Sequence, residues 1–235
     1  MSAGGGMSIE MWLAEDDQVA VQSELQGKVF EEMTWEPSLD ASEIDVVVED
    51  RAVTLAGSVK SYPERLAAER AARRVRGVRE VRNEIAVELP ESQQRSDRQL
   101  ARTVAWAIES DAQVPRGRIE ATVTCGWVDL AGDVARAHER RSIEDAVQRL
   151  VGVKGVNNLI TVKPALGAED PRGRVEAALR RSPGLHGDHI TVEVAGTTAV
   201  LHGRVHSLAE RDQAVDAAWG APGIAAVREE LEVGR

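Results

Sequence analysis

The feature that most constrains this chain is that it repeats itself. Leu55-Ala-Gly57-Ser-Val59 followed by Glu64-Arg65 returns as Leu130-Ala-Gly132-Asp-Val134 with Glu139-Arg140, and again as Leu201-His-Gly203-Arg-Val205 with Glu210-Arg211. Gly132 follows Gly57 by 75 residues and Gly203 follows Gly132 by 71, while Gly77-Val78, Gly152-Val153 and Gly223-Ile224 keep the same registers. Self-similarity at a fixed long period is the mark of one supersecondary unit copied and packed beside itself. The fold problem therefore shrinks to a single unit of roughly 70 residues.

Apolar periodicity reads that unit three times over. Leu25, Val29 and Met33, and then Leu100, Val104 and Ile108, form the buried stripe of an opening helix, and Asp170-Pro171 supplies an N-cap and an N1 proline for the third. Period-two alternation follows at Ile44, Val46, Val48, at Ile119, Ala121, Val123 and at Ile190, Val192, Val194. After a turn at Glu49-Asp50-Arg51, Cys125-Gly126 or Ala195-Gly196-Thr197, a second strand places Val53, Leu55, Gly57 and Val59 inward. A second helix starts near the Glu-Arg pair, buries Ala68, Ala71, Ala72 and Val75 or their counterparts, and ends at Gly77, Gly152 or Gly223 read as C-cap glycines. In the third copy the stripe is Ala214, Ala217, Ala218 and Ala221, small residues that, opposite the strand glycines Gly57, Gly132 and Gly203, predict close approach of helix to sheet.

A last strand, Val81 to Val87, Val156 to Val162 or Val227 to Val233, closes each unit after a parallel crossover. The fold class predicted is α+β: three tandem units, each α-β-β-α-β with two helices on one face of a three-stranded mixed sheet. The expected boundaries are a flexible leader over 1–15 and units at 16–89, 96–163 and 169–235, joined by the short linkers 89–96 and 163–168. A unit of that size buries only about 60% of its unfolded surface, so docking between copies is expected to add stability.

The Leu-x-Gly-x-Val, Glu-Arg and Gly-Val pattern resembles the BON domain family. Over residues 16–235 the chain is similar to three-BON, transport-associated proteins of the osmotically inducible protein Y kind. Trp35-Glu36-Pro37-Ser38, Val205-His-Ser207 and Ala218-Trp219-Gly220-Ala-Pro222-Gly223 resemble segments of that subgroup. The resemblance implies a non-catalytic binding protein of osmotic or envelope stress that contacts phospholipid or an envelope protein. It implies as an alternative a cytoplasmic module responsive to potassium or another cation, while edge strands and tryptophan surfaces leave open a structural protein that self-associates into homo-oligomers.

Composition narrows the partners. A net charge of −10 with 29% charged residues excludes a surface that is basic all over, so nucleic acid is not expected. The one cysteine, Cys125, excludes an intramolecular disulfide framework and a multi-thiolate zinc site. Residues 1–7, Met-Ser-Ala-Gly-Gly-Gly-Met, carry no positive n-region or apolar h-region, and the second methionine at Met7 is an alternative start. The location expected from this is cytoplasmic, or peripheral at the membrane. Trp12, in Ile9-Glu-Met11-Trp12-Leu13, could open an amphipathic segment, but the nearby acidic residues would repel an anionic bilayer.

Repetition also sorts the candidate site residues. Glu64, Glu139 and Glu210 are read as helix caps rather than a thrice-repeated site, and Arg65, Arg140 and Arg211 as their surface partners. Residues that break the repeat stand out more. Trp219 falls where the siblings have Gln148 and Arg73, off the buried stripe, and Trp106 lies opposite Leu100, Val104 and Ile108. Two readings are open for these rings, a membrane or partner surface and contacts between units. Trp127 is expected at the rim of its sheet.

Arg70, Arg73 and Arg74, within a run that also has Arg65, Arg76, Arg79 and Arg82, could meet phosphate head groups, or pair with the interleaved Glu64, Glu69, Glu80 and Glu84. His186-x-x-His189 and His202-x-x-x-His206 lack a cysteine or carboxylate that completes a metal set, so no metal site is predicted. Asp45, Glu49, Thr54, Ser58, Glu120, Thr122, Asp129 and Asp133 give the open sheet faces an oxygen-rich surface of the kind hard cations prefer. No P-loop, dinucleotide fingerprint, HExxH or nucleophile elbow is present, so neither catalytic residues nor cofactors are predicted.

Overall fold

The computed structural model describes residues 9–110, 117–163, 170–183, 185 and 189–234, the first eleven of them in backbone alone. Three copies of one unit follow each other. The first is α1 (Ile9–Thr34), β1 (Ile44–Glu49), β2 (Ala52–Val59), α2 (Tyr62–Arg74), β3 (Glu80–Asn83) and β4 (Ala86–Val87). The second is α3 (Asp97–Ser110), β5 (Ile119–Thr124), β6 (Trp127–Val134), α4 (Ala137–Gln148) and β7 (Gly155–Val162). The third is α5 (Pro171–Arg181), β8 (Ile190–Ala195), β9 (Thr198–Val205), α6 (Leu208–Trp219) and β10 (Ala226–Val233).

The sheets share more than their order. The hairpin pairs Ile44 with Gly57, Ile119 with Gly132 and Ile190 with Gly203. The parallel pairing sets Ala52 against Glu80, Trp127 against Gly155 and Thr198 against Ala226. These registers superimpose under the sequence offsets, so the copies repeat at the level of single hydrogen bonds. In the first copy the last strand, expected over Val81 to Val87, is divided at Glu84-Ile85, where Asn83 Oδ1 accepts the Ile85 N–H. The ladder persists across the division, because Glu84 N–H donates to the Leu55 carbonyl and Ser58 still faces Ala86.

Each unit has its own apolar interior. Leu25, Val29 and Met33 pack on Val53, Leu55, Ala68, Ala71 and Ala72 in the first, and Leu100 and Val104 on Leu130, Ile143 and Val147 in the second. Val175 and Leu179 pack on Leu201, Ala214 and Ala218 in the third. The periodic stripes produce these cores directly, since residues three and four apart share one helix face and alternate residues share one sheet face.

Four expectations need correction. Helix α1 already runs from Ile9, inside the stretch expected as a flexible leader, because Ile9 to Gln18 holds no glycine or proline to stop it. Gly57, Gly132 and Gly203 do not serve helix–sheet approach. They lie at φ of +109°, +137° and +138°, and a Cβ there would stand 2.0–2.1 Å from the carbonyl oxygen of Glu43, Arg118 or His189 just before the neighbouring strand.

Gly77, Gly152 and Gly223 are not C-caps either. They follow the caps Val75, Arg149 and Gly220 and occupy the positive-φ third position of tight turns, closed by N–H donation from Val78 to Val75, Val153 to Leu150 and Ile224 to Ala221. Finally, the repeated arginines reach the last strand rather than the capping glutamates. Arg65 donates to the Asn83 carbonyl, Arg140 to the Asn158 carbonyl, and Arg211 faces Glu229 at 3.4 Å. An arginine stem is long enough to cross to the strand, while the glutamates bend back to backbone amides: Glu64 takes the N–H of Lys60, Glu139 those of Ala135 and Arg136, and Glu210 that of His206.

Candidate functional site

Several residues that depart from the repeat gather where one unit meets the next. Tyr62, Ala137 and Leu208 are the first residues of α2, α4 and α6 and occupy one position of the repeat. One turn further, Leu66, Arg141 and Asp212 occupy a second, and Arg73, Gln148 and Trp219 near the helix ends a third. The start of the second helix in each unit turns towards the following unit, and the third unit turns towards the first.

Two of these joints are filled by apolar side chains. Tyr62, only 9% exposed, enters the core of the second unit with Leu66 and Val87 beside it, and its hydroxyl meets the Val156 backbone. Burial pushes the Tyr62 phenol above its usual pKa. Leu208, 1% exposed, enters the core of the first unit together with Val233. Arg73 seals that joint, its Nε and Nη2 each 2.7 Å from the Asp212 carboxylate, a bidentate pair that adds direction to the contact.

The third joint is built differently. Ala137 stands where the siblings carry tyrosine and leucine, Val162 stays in its own unit's core, and among the described residues the core of the third unit takes in none of the second. Arg141 pairs with Asp216 across the joint. Burial raises the Asp216 carboxyl pKa against the pull of that arginine. Behind the pair lies a cleft of about 270 Å³, bordered by Ala137, His138, Arg141, Asp145, Asp216 and Trp219.

Of the residues singled out in the sequence, Trp219 is half-buried and lines this cleft. Arg73 fills the same repeat position at the neighbouring joint. Arg74 is held by Glu32 and Glu36 of α1, and Arg82 by Glu80. Arg70 is exposed on α2, so the run of arginines does not converge into one basic face.

Trp106, 69% exposed on α3, is away from the joints, as is Trp35 at 76%. Trp127 is 42% exposed, and its ring lies over Gly155, where a Cβ would come within 2.4 Å. Cys125 is an exposed turn residue whose N–H, with that of Gly126, donates to the Asp97 carboxylate. On the open sheet faces Asp129 accepts from Asn157, and Asp133 lies 3.5 Å from both Arg118 and Lys163, so part of the oxygen-rich surface is already matched by the protein's own donors. His186 lies outside the described residues, and His202 sits between Glu193 and Glu230. Among the described residues no group of three histidine, cysteine or carboxylate side chains converges on a metal position, and no helix is long and apolar enough to cross a membrane.

Sequence reasoning singled out Trp219 and Arg73 as lipid or partner contacts and did not single out Tyr62, Leu208, Asp212 or Ala137. The signal was present, since two bulky apolar residues open helices at a position that capping alone leaves free.

Small two-layer α/β units, repeated in register and joined through the ends of their second helices, define the class. The BON domain model matches residues 22–88, 96–164 and 169–235, and the chain belongs to that family. No curated protein matches. Among solved structures, the chain is similar to CdsD, a structural protein of the type III secretion system of Chlamydia trachomatis, at 12% identity over 88% of this chain and 91% of that one, with a TM-score of 0.25. A second is the PrgH periplasmic domain, at 14% identity over 83% and 97% of the two chains, with a TM-score of 0.21.

Proposed function

We propose that this chain is a non-catalytic binding protein of osmotic or envelope stress, in which three BON units closed head to tail present an exposed aromatic surface to an envelope protein. The observation that carries the reading is Trp106. An indole left 69% exposed on a helix whose other face is fully packed has no role in its own core, and tryptophan is the residue most enriched at the energetic centres of protein interfaces.

The charge pattern favours a protein over a phospholipid surface. The chain carries −10 overall, and Arg73 and Arg74 are spent on Asp212, Glu32 and Glu36 rather than held out for phosphates. The test is photocrosslinking from position 106 in cells alongside co-sedimentation with anionic and zwitterionic vesicles. A discrete crosslinked protein, with no vesicle binding, is expected. Sedimentation with vesicles that W106A or R74A abolishes would replace the protein partner by lipid.

A further inference from the structure

The three joints are three versions of one contact, and comparing them shows what the third leaves open. At the first joint Tyr62 fills the space between units, and at the joint from the third unit back to the first Leu208 does so. The equivalent residue at the joint between the second and third units is Ala137, and a cleft of about 270 Å³ stands there. Half-buried Trp219 lines it, and its polar lining includes His138, Asp145 and the Arg141–Asp216 pair.

We propose that this cleft is a binding site for one bulky apolar side chain, aromatic or branched aliphatic, carried by a partner polypeptide. The proposal rests on the protein-partner reading above and supplies the side chain that such a partner inserts. The two filled joints show which groups fit the position: a phenol and an isobutyl group, each entering from a helix start. The volume, just below the roughly 300–1,000 Å³ of pockets that enclose a drug-sized ligand, has room for one bulky side chain. The mixed-charge rim matches the peptide groups on either side of such a residue, since N–H finds carboxylates and C=O finds guanidinium. The Trp219 face supplies the stacking surface that an aromatic occupant prefers.

The test titrates N-acetyl-L-tyrosinamide and N-acetyl-L-leucinamide into the full chain while following the Trp219 indole N–H by NMR, with W219F used to assign the signal. A saturable shift of that resonance is expected with both probes. In A137Y and A137L the new side chain occupies the cleft itself, so the shift should vanish while the melting temperature rises by a few degrees. A137S adds no bulk and should keep the shift. No saturable response in the unmodified chain, or an equal response in a folded A137Y, overturns the site. A response lost in A137S overturns it as well, because the probe would then be reporting a general loosening of the joint. These outcomes are separate from the vesicle and crosslinking results, which decide whether the partner is a protein at all.

Discussion

Asp50 and Arg51, at φ of 47° and 66°, form the tip of the first hairpin, a two-residue turn whose left-handed central residues match the twist of its strands. The second hairpin meets the same demand with Cys125-Gly126, at 52° and 83°. Arg51→Gly relieves a side chain from that region and should stabilise the chain by about 0.5–1 kcal/mol, read as a higher urea midpoint at unchanged slope. The opposite holds at Gly132. A methyl group there would press on the Arg118 carbonyl at 2.1 Å with the backbone at φ +137°, so Gly132→Ala should cost about 2–4 kcal/mol by the same measurement. A loss below about 1 kcal/mol would mean that the strands part freely at this point.

The elements were legible because each obeys a local rule. Stripes at three- and four-residue spacing located the helices, alternation located the strands, and Ser61 and Ser207 cap α2 and α6 by accepting the N–H of Glu64 and Glu210. What the period could not show was how side chains cross between elements. Arg65 and its equivalents were open to pairing with the adjacent glutamates, and only the spacing between α2 and the last strand sends them to Asn83 and its counterparts.

One crossing at this scale has a pH signature. Asp40 accepts from the Ser42 hydroxyl and from Lys60, and these hold its carboxyl at about 2 against an ordinary 3.8. The ionised form is the one favoured in the folded state, so its contribution to stability is complete above the ordinary value and is lost as pH falls towards the lowered one. Asp40→Asn should remove that part of the acid slope in urea midpoints measured from about pH 5 to about pH 2. An unchanged slope would assign acid sensitivity to other carboxylates.

At the scale of the molecule, stability is shared between three cores and the joints that link them. Tyr62 belongs to the first unit by sequence and to the second unit's core by contact, so Tyr62→Ala should cost about 3–5 kcal/mol and separate the melting of these two units in calorimetry. A single unchanged transition would show that the linker alone couples them. Burial raises the Tyr62 pKa above 10, which means the folded state keeps the proton more tightly than the unfolded chain does. The stability that this supplies is present below the unfolded value and declines as pH rises through it, so the wild-type chain should weaken from about pH 9 to about pH 11 more steeply than Tyr62→Phe. Parallel slopes would place the hydroxyl in solvent.

The sequence by itself determined the unit: its element order, the apolar stripes that fill its core and the family to which all three copies belong. These follow from patterns within some 70 contiguous residues, where period translates directly into face. The tertiary structure alone decided the joints. Arg73 and Asp212 are 139 residues apart, and no periodicity relates positions that meet only because three units close on one another. Whether Tyr62, Ala137 or Leu208 fills or leaves open the space between neighbours depends on which surfaces the packed units bring together, and that geometry is set by the fit of whole cores rather than by any local run of residues.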